Sequence, residues 1–286
     1  MHSNDLGVTL RELRQSKRMT LADTAKGIVS LPFLSKYERG KSDISATNFL
    51  ELLNRLNVNL REFDEKNSRI NQRSQKVFLS EYNEAVVSND AYLFDQLINK
   101  EQSFFQQDGN YRHAHNIILM KQWMNSINGL PFNHDQVKVL TSYLLQVEDW
   151  SHYELELFGN GLFCFPIDIV SFLCQSAFKK ATAFSKIITN RNELALIAIN
   201  VIVKSLESNN LNQIDSIIAA ADSSLSGTKF YYEKNKLNFV KGLYAIRTGD
   251  KENGTKLAND AIKIMYSLGS HHTAKAHQDE LKKYLN

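Results

Sequence analysis

Cysteine is nearly absent: only Cys164 and Cys174 occur in 286 residues, both within the apolar run FCFPIDIVSFLC. That excludes a disulfide framework and leaves buried free thiols as the expectation. Glycine (12) and proline (3) are scarce as well. A sheet with many tight turns needs more of both, whereas long helices with short joints do not. A run of roughly 18 uncharged apolar residues, the minimum for a transmembrane helix, does not occur. Asp5, Arg11, Glu12 and Arg14 interrupt the start of the chain before any apolar signal centre forms, so a cytoplasmic location is expected.

Catalytic signatures are missing too. The eight histidines include no H-E-x-x-H. His113 and His115 are two apart and point to different faces of a helix, while His271 and His272 fall in a polar joint. A metal needs converging ligands, which the two cysteines do not supply. Gly159 and Gly161 lack the third glycine of a dinucleotide loop, and neither G-x-S-x-G nor a P-loop is present. Neither enzyme activity, nor a metal, nor a cofactor is expected.

What is present is a chain 43% hydrophobic and 23% charged, long enough for a small domain and a large one. The net charge of +3 is small but unevenly placed. Residues 1–41 hold eight Lys or Arg against four acids, whereas residues 42–66 hold three against five. A basic surplus confined to the first forty positions suits contact with phosphates. Leu6, Leu10 and Leu13 recur at helical spacing. Thr20, followed by Asp23, caps a short helix that turns Leu21, Ala25 and Ile28 inward. Ser30 caps the next, where Pro32 is tolerated in the first turn and Leu34 and Tyr37 face the core. Gly40 ends that helix. Ser45 begins a fourth with the stripe Phe49, Leu50, Leu53 and Leu56, and Asn59 starts a last short turn containing Phe63.

Two short helices across a tight turn, braced by flanking ones, follow the helix-turn-helix plan. Leu10 to Lys41, with LRELRQSKRMT, LADTA and LSKYERGKSDIS, resembles the lambda-repressor-like (XRE) class. Leu21, in place of the usual polar residue, and a shorter turn around GIVS depart from its pattern. The resemblance implies an internal ion pair between Arg14 and Glu38. It also places Leu31, Pro32, Ser35 and Lys36 on the face of the recognition helix that meets the major groove. Lys36 is the candidate for a guanine O6/N7 contact and Leu31 and Pro32 for apolar contact with a thymine methyl. Arg39, Lys41, Lys17 and Arg18 suit phosphate oxygens.

Beyond a polar segment at 64–74, apolar stripes run at 77–87, 92–105, 117–127, 137–147, 169–188, 194–206, 214–225, 230–246 and 257–268. Breaker clusters near 90, 131, 167, 209 and 249 leave two helices per interval, the period of degenerate tetratricopeptide-like repeats. Such pairs stack into a solenoid with a concave groove. The expected fold is therefore all-α. Residues 1–65 form the helix-turn-helix domain, 66–74 a linker, and 75–286 a helical-repeat domain that senses a ligand and dimerises.

The architecture, with VEDWSHYELELFGN at 147–160, LALIAINVIV at 194–203 and FVKGLYAIRTGD at 239–250, resembles the Rgg/MutR regulators of Gram-positive bacteria, a branch of the RRNPP peptide sensors. The resemblance implies a homodimer that binds double-stranded promoter DNA and responds to a short hydrophobic signalling peptide in quorum sensing. It assigns Asn160 and Asn200 to the peptide groove. Phe163 stands where several relatives have an arginine, which implies a more apolar peptide or a different polar contact, and Arg191 is a candidate positive group nearby. Trp150 and Tyr153 read as packing anchors. The alternative is a repressor or adaptor whose solenoid binds a protein partner.

Overall fold

The computed structural model describes residues 4–67, 74–184, 186–227 and 229–285. Among them the regular structure is helical throughout, and the chain divides into two compact units, Met1–Asn89 and Asp90–Asn286.

The first unit contains α1 (Asn4–Ser16), α2 (Leu21–Ala25), α3 (Leu31–Tyr37), α4 (Ala46–Arg55), α5 (Leu60–Lys66) and α6 (Gln75–Ser88). Side chains cap the starts of α2 to α6. Thr20 accepts from the Asp23 amide, Ser30 from Phe33, Ser45 from Asn48, Asn59 from Glu62 and Ser74 from Val77. Each such cap contributes about 1 kcal/mol by satisfying an amide with no partner inside its helix. Leu10, Leu34, Tyr37, Leu52, Leu53, Leu56 and Phe63 close the core. Of the three leucines at helical spacing, Leu10 is fully buried whereas Leu6 is 38% exposed. Of the expected linker, Lys66 ends α5 and Ser74 caps α6, while 68–73 lie outside the described residues. Helix α6 belongs to the first compact unit, whereas the sequence assigned it to the helical repeats.

The second unit contains five helix pairs among the described residues: α7 (Ala91–Asp108) with α8 (Tyr111–Ile127), α9 (His134–Gln146) with α10 (His152–Gly161), α11 (Ile167–Lys180) with α12 (Ile188–Glu207), α13 (Ile214–Ser224) with α14 (Tyr231–Arg247), and α15 (Lys251–Ser267) with α16 (His271–Leu285). The breaker clusters mark the joints between pairs, as the period demands. At Asn209 (φ 53°) and Gly249 (φ 104°) the chain turns left-handed. The following amides, of Asn210 and Asp250, reach back to the Ser205 and Ala245 carbonyls at 2.9 Å. These are Schellman closures, which satisfy carbonyls that a helix end otherwise leaves open. The stripe at 169–188 is not one helix: α11 stops at Lys180, and a 3-10 turn (Ala181–Phe184) separates it from α12.

Cations on one helix close the ends of others. Lys180 Nζ donates to the Leu145 and Val147 carbonyls at 2.8 and 2.6 Å, at the C-terminal end of α9. Lys204 of α12 donates to Leu162 and, at 2.8 Å, to Phe165, beyond α10. A positive group at a helix C-terminus meets the negative end of its dipole. One continuous apolar core links α8 to α16. It includes Trp150, whose Nε1 donates to the Leu144 carbonyl at 3.2 Å. Helices α14 and α15 meet at glycines. A Cβ on Gly242 would stand 2.7 Å from the Gly254 carbonyl oxygen, and one on Gly254 would stand 2.6 Å from that of Gly242. No helix among the described residues is long and apolar enough to cross a membrane.

Candidate DNA-binding face and ligand groove

At 100° per residue, Leu31, Pro32, Ser35 and Lys36 span one side of α3. Leu34 and Tyr37, buried to 0% and 1% exposure, hold the other side on the core. Leu31, Pro32 and Lys36 are exposed and Ser35 half-buried, so the four expected readers share one open face. Helix α3 is fixed from behind by Arg14. Its Nε and Nη2 donate to the two Glu38 carboxylate oxygens, both at 2.7 Å, and its Nη1 donates to the Met19 carbonyl at 2.9 Å. The ion pair implied by the resemblance is therefore present, and the guanidinium is held charged by its bond to Glu38. It ties α3 to the turn after α1. In that turn Arg18 adopts φ 55°, and both Arg18 and Lys17 are exposed. Past α3, the Arg39 Nε donates to the Ser35 carbonyl at 2.9 Å, and Lys41 follows the left-handed Gly40. Both basic side chains are exposed.

In the second unit the four expected ligand residues have different surroundings. Asn200 lines a cavity of about 320 Å³ between α12, α14 and α16. Asn160, on α10, donates from Nδ2 to the Glu156 carbonyl at 2.8 Å, which leaves its Oδ1 as an acceptor. Phe163 stands edge-on to Trp123 and Phe132, with ring centroids 5.1 and 5.8 Å apart. Arg191 donates to the Ser224 and Ser226 carbonyls at 2.8 and 3.0 Å. It also covers the Phe230 ring at 4.5 Å, so it closes the end of α13. Nine residues along α12 amount to two and a half turns, which puts Arg191 and Asn200 on opposite faces of that helix. The structure thus gives Asn200 a cavity and Arg191 a place in the packing.

Several polar groups that the sequence left unassigned are organised by burial. His113 Nδ1 lies 2.8 Å from Glu101, and Asn116 donates to the same carboxylate at 2.7 Å. His115, on another face of α8 as its spacing requires, pairs with the Tyr153 hydroxyl at 2.8 Å, and burial lowers its pKa to about 4. His152 lies 3.2 Å from Glu156. Burial raises the Glu193 carboxyl, against the opposing pull of His152. Both cysteine thiols are free and are pushed up to about 12 by burial. Among the described residues no group of three or more His, Cys, Asp or Glu is placed to hold a metal ion.

Comparison with known proteins matches both units. Residues 10–63 match the helix-turn-helix family, and residues 95–279 match the C-terminal domain of the HTH-type transcriptional regulator Rgg. The crystal structure of the Streptococcus dysgalactiae SHP pheromone receptor Rgg2 is similar at TM-score 0.83 and 23% identity, covering 97% of this chain and 99% of that one. A Listeria monocytogenes protein is similar at TM-score 0.85 and 21% identity over 99% of this chain and 98% of its own. The PrgX/cCF10 complex is similar at TM-score 0.69 and 18% identity over 98% and 99%. These likenesses establish the all-helical fold. The family match, which spans most of the chain in addition to its N-terminal motif, carries the identity: the protein belongs to the Rgg family of helix-turn-helix transcriptional regulators.

Proposed function

We propose that the protein reads promoter DNA through the open face of α3 and is controlled by a short hydrophobic signalling peptide bound by its second unit. Lys36 and Ser35 contact base edges, Leu31 and Pro32 meet a thymine methyl, and Arg39, Lys41, Lys17 and Arg18 grip phosphates. All of these residues are exposed or half-buried around one braced helix. Asn200 provides a peptide clamp, Asn160 a second, and Phe163 an apolar wall; Arg191 holds the end of α13 through the Ser224 and Ser226 carbonyls. The similar Rgg2 is an SHP pheromone receptor, and the similar PrgX structure is a complex with cCF10, which supports the peptide reading. The protein acts as a homodimer in the cytoplasm.

The observation that carries this reading is Asn200. Its amide has both a donor and an acceptor, and it stands exposed over a cavity with an apolar floor from Ile199, Val203, Phe239, Val240 and Leu243. The test is selection of bound fragments from genomic DNA, with and without synthetic hydrophobic octapeptides. Enrichment of one motif, altered by one class of peptide, is expected. Enrichment that no peptide alters would favour a protein partner as the signal. Uniform recovery of all fragments would reject sequence-specific binding.

A further inference from the structure

The cavity beside Asn200 has an asymmetry that the sequence does not reveal. Ile199 and Val203 of α12 and Phe239, Val240 and Leu243 of α14 give it an apolar floor. Glu207 of α12 and Lys236 of α14 add charged groups to its lining, and the last helix completes it through Ala276, His277 and Glu280 of α16. His277 is held in place twice. Its ring stands edge-on to Phe239 with centroids 4.4 Å apart, and its Nδ1 bonds the Thr273 carbonyl at 2.9 Å. A carbonyl only accepts, so Nδ1 carries the proton and Nε2 is left as an acceptor. Burial favours the same neutral imidazole. Ligand pockets for whole small molecules span about 300–1,000 Å³. At about 320 Å³ this one is at the lower limit, the size for one large side chain and not for a folded peptide.

Resting on the peptide reading above, we propose that this cavity is the specificity pocket for one aromatic residue of the bound peptide, tryptophan above all, and that α16 sets its size. The aromatic ring rests on Phe239, Val240 and Leu243. Asn200 pairs with the backbone unit of the same residue. An indole N–H donates to His277 Nε2, a partner that leucine or phenylalanine lacks. Ala276 is the gatekeeper: it lines the pocket, is itself exposed, and is small. A larger residue there fills the space without disturbing the core. The helix that ends the repeat stack is thus also part of what it recognises.

The experiment uses the full chain and fluorescein-labelled octapeptides of Leu, Ile and Val, with Ala, Leu, Phe or Trp placed at each position in turn. Fluorescence polarisation should find one position at which Trp binds about 10- to 100-fold more tightly than Ala, the gain expected from burying a large side chain. Ala276→Leu should remove that preference, bringing the Trp peptide down to the level of the Ala peptide, with DNA binding retained as the control for folding. His277→Phe should bring Trp down to the level of Phe at that position alone. Peptide binding with no aromatic preference, or a preference that survives Ala276→Leu, would overturn the pocket and leave the peptide reading standing. Absence of binding by every peptide, with DNA binding intact, would overturn both.

Discussion

At the scale of residues, exposure and partners separate groups that look alike in sequence. Lys36 and Lys17 are both exposed lysines, but only Lys36 lies on the open face of α3. Lys36→Ala should cost about 1–3 kcal/mol on the preferred site and relax choice at one base position. Lys17→Ala should weaken all sequences alike. Competition titrations with cognate and scrambled duplexes distinguish them, and equal losses for Lys36→Ala on both would reject readout. Asn200→Ala leaves a buried peptide group unpaired, at about 1–3 kcal/mol, and should weaken peptide binding about 5- to 100-fold. Calorimetry measures that loss, and wild-type affinity in the variant would exclude the clamp. His115 makes a pH prediction. Its folded pKa is lowered to about 4, below an unfolded value of about 6.5. Between the two, the unfolded chain takes up a proton that the folded chain refuses. The contribution of His115 is therefore complete above about pH 6.5 and declines as the pH falls towards 4, by up to about 1.4 kcal/mol per pH unit. His115→Gln should remove that dependence. Urea unfolding of both proteins from pH 4 to 7 tests it, and parallel curves would contradict it.

At the scale of elements, the second unit is held by close helix crossings and by cations that close helix ends. The α14–α15 crossing is the tightest case, because each glycine faces the other's carbonyl oxygen. Gly242→Ala would bring a methyl to 2.7 Å from Gly254 O and 2.8 Å from Ala258 N. Backbone cannot yield as a flexible side chain can, so we expect destabilisation of about 1–3 kcal/mol. A urea midpoint equal to that of the wild type would show that the helices separate without cost. Gly159 and Gly161, excluded from a dinucleotide loop by their pattern, face side chains and not backbone. Gly161 faces the Phe165 ring, and a Cβ on Gly159 would reach Ile197 at 3.4 Å.

At the scale of the molecule, one helix-turn-helix covers too little DNA to specify a promoter, so two copies are expected to act together. A fragment of residues 90–286 should remain dimeric in analytical ultracentrifugation, and a monomer at micromolar concentration would count against pairing through the repeats. The full-length dimer should prefer a pseudo-palindrome with half-sites roughly 10 base pairs apart or a multiple of that. Its affinity should decline linearly with salt on logarithmic axes, since each phosphate contact releases counterions. Affinity independent of salt would remove the phosphate-binding role of Arg39, Lys41, Lys17 and Arg18.

The sequence by itself determined what depends on neighbours along the chain. Thr20, Ser30, Ser45 and Asn59 cap the amides three residues ahead, and the breaker clusters recur where helix pairs join. Capping and turning are local, so residue type and spacing suffice to read them. The Arg14–Glu38 pair was legible only through resemblance, because nothing in a charge at one position names its partner 24 residues on. Arg191 read as a candidate positive group near the groove and closes α13; nothing along the chain marks α16 as part of the Asn200 cavity. These were decided by the tertiary structure. Which carbonyl a long side chain reaches, and which distant helices share a cavity, depends on how the pairs stack, and stacking is set by packing across the whole core.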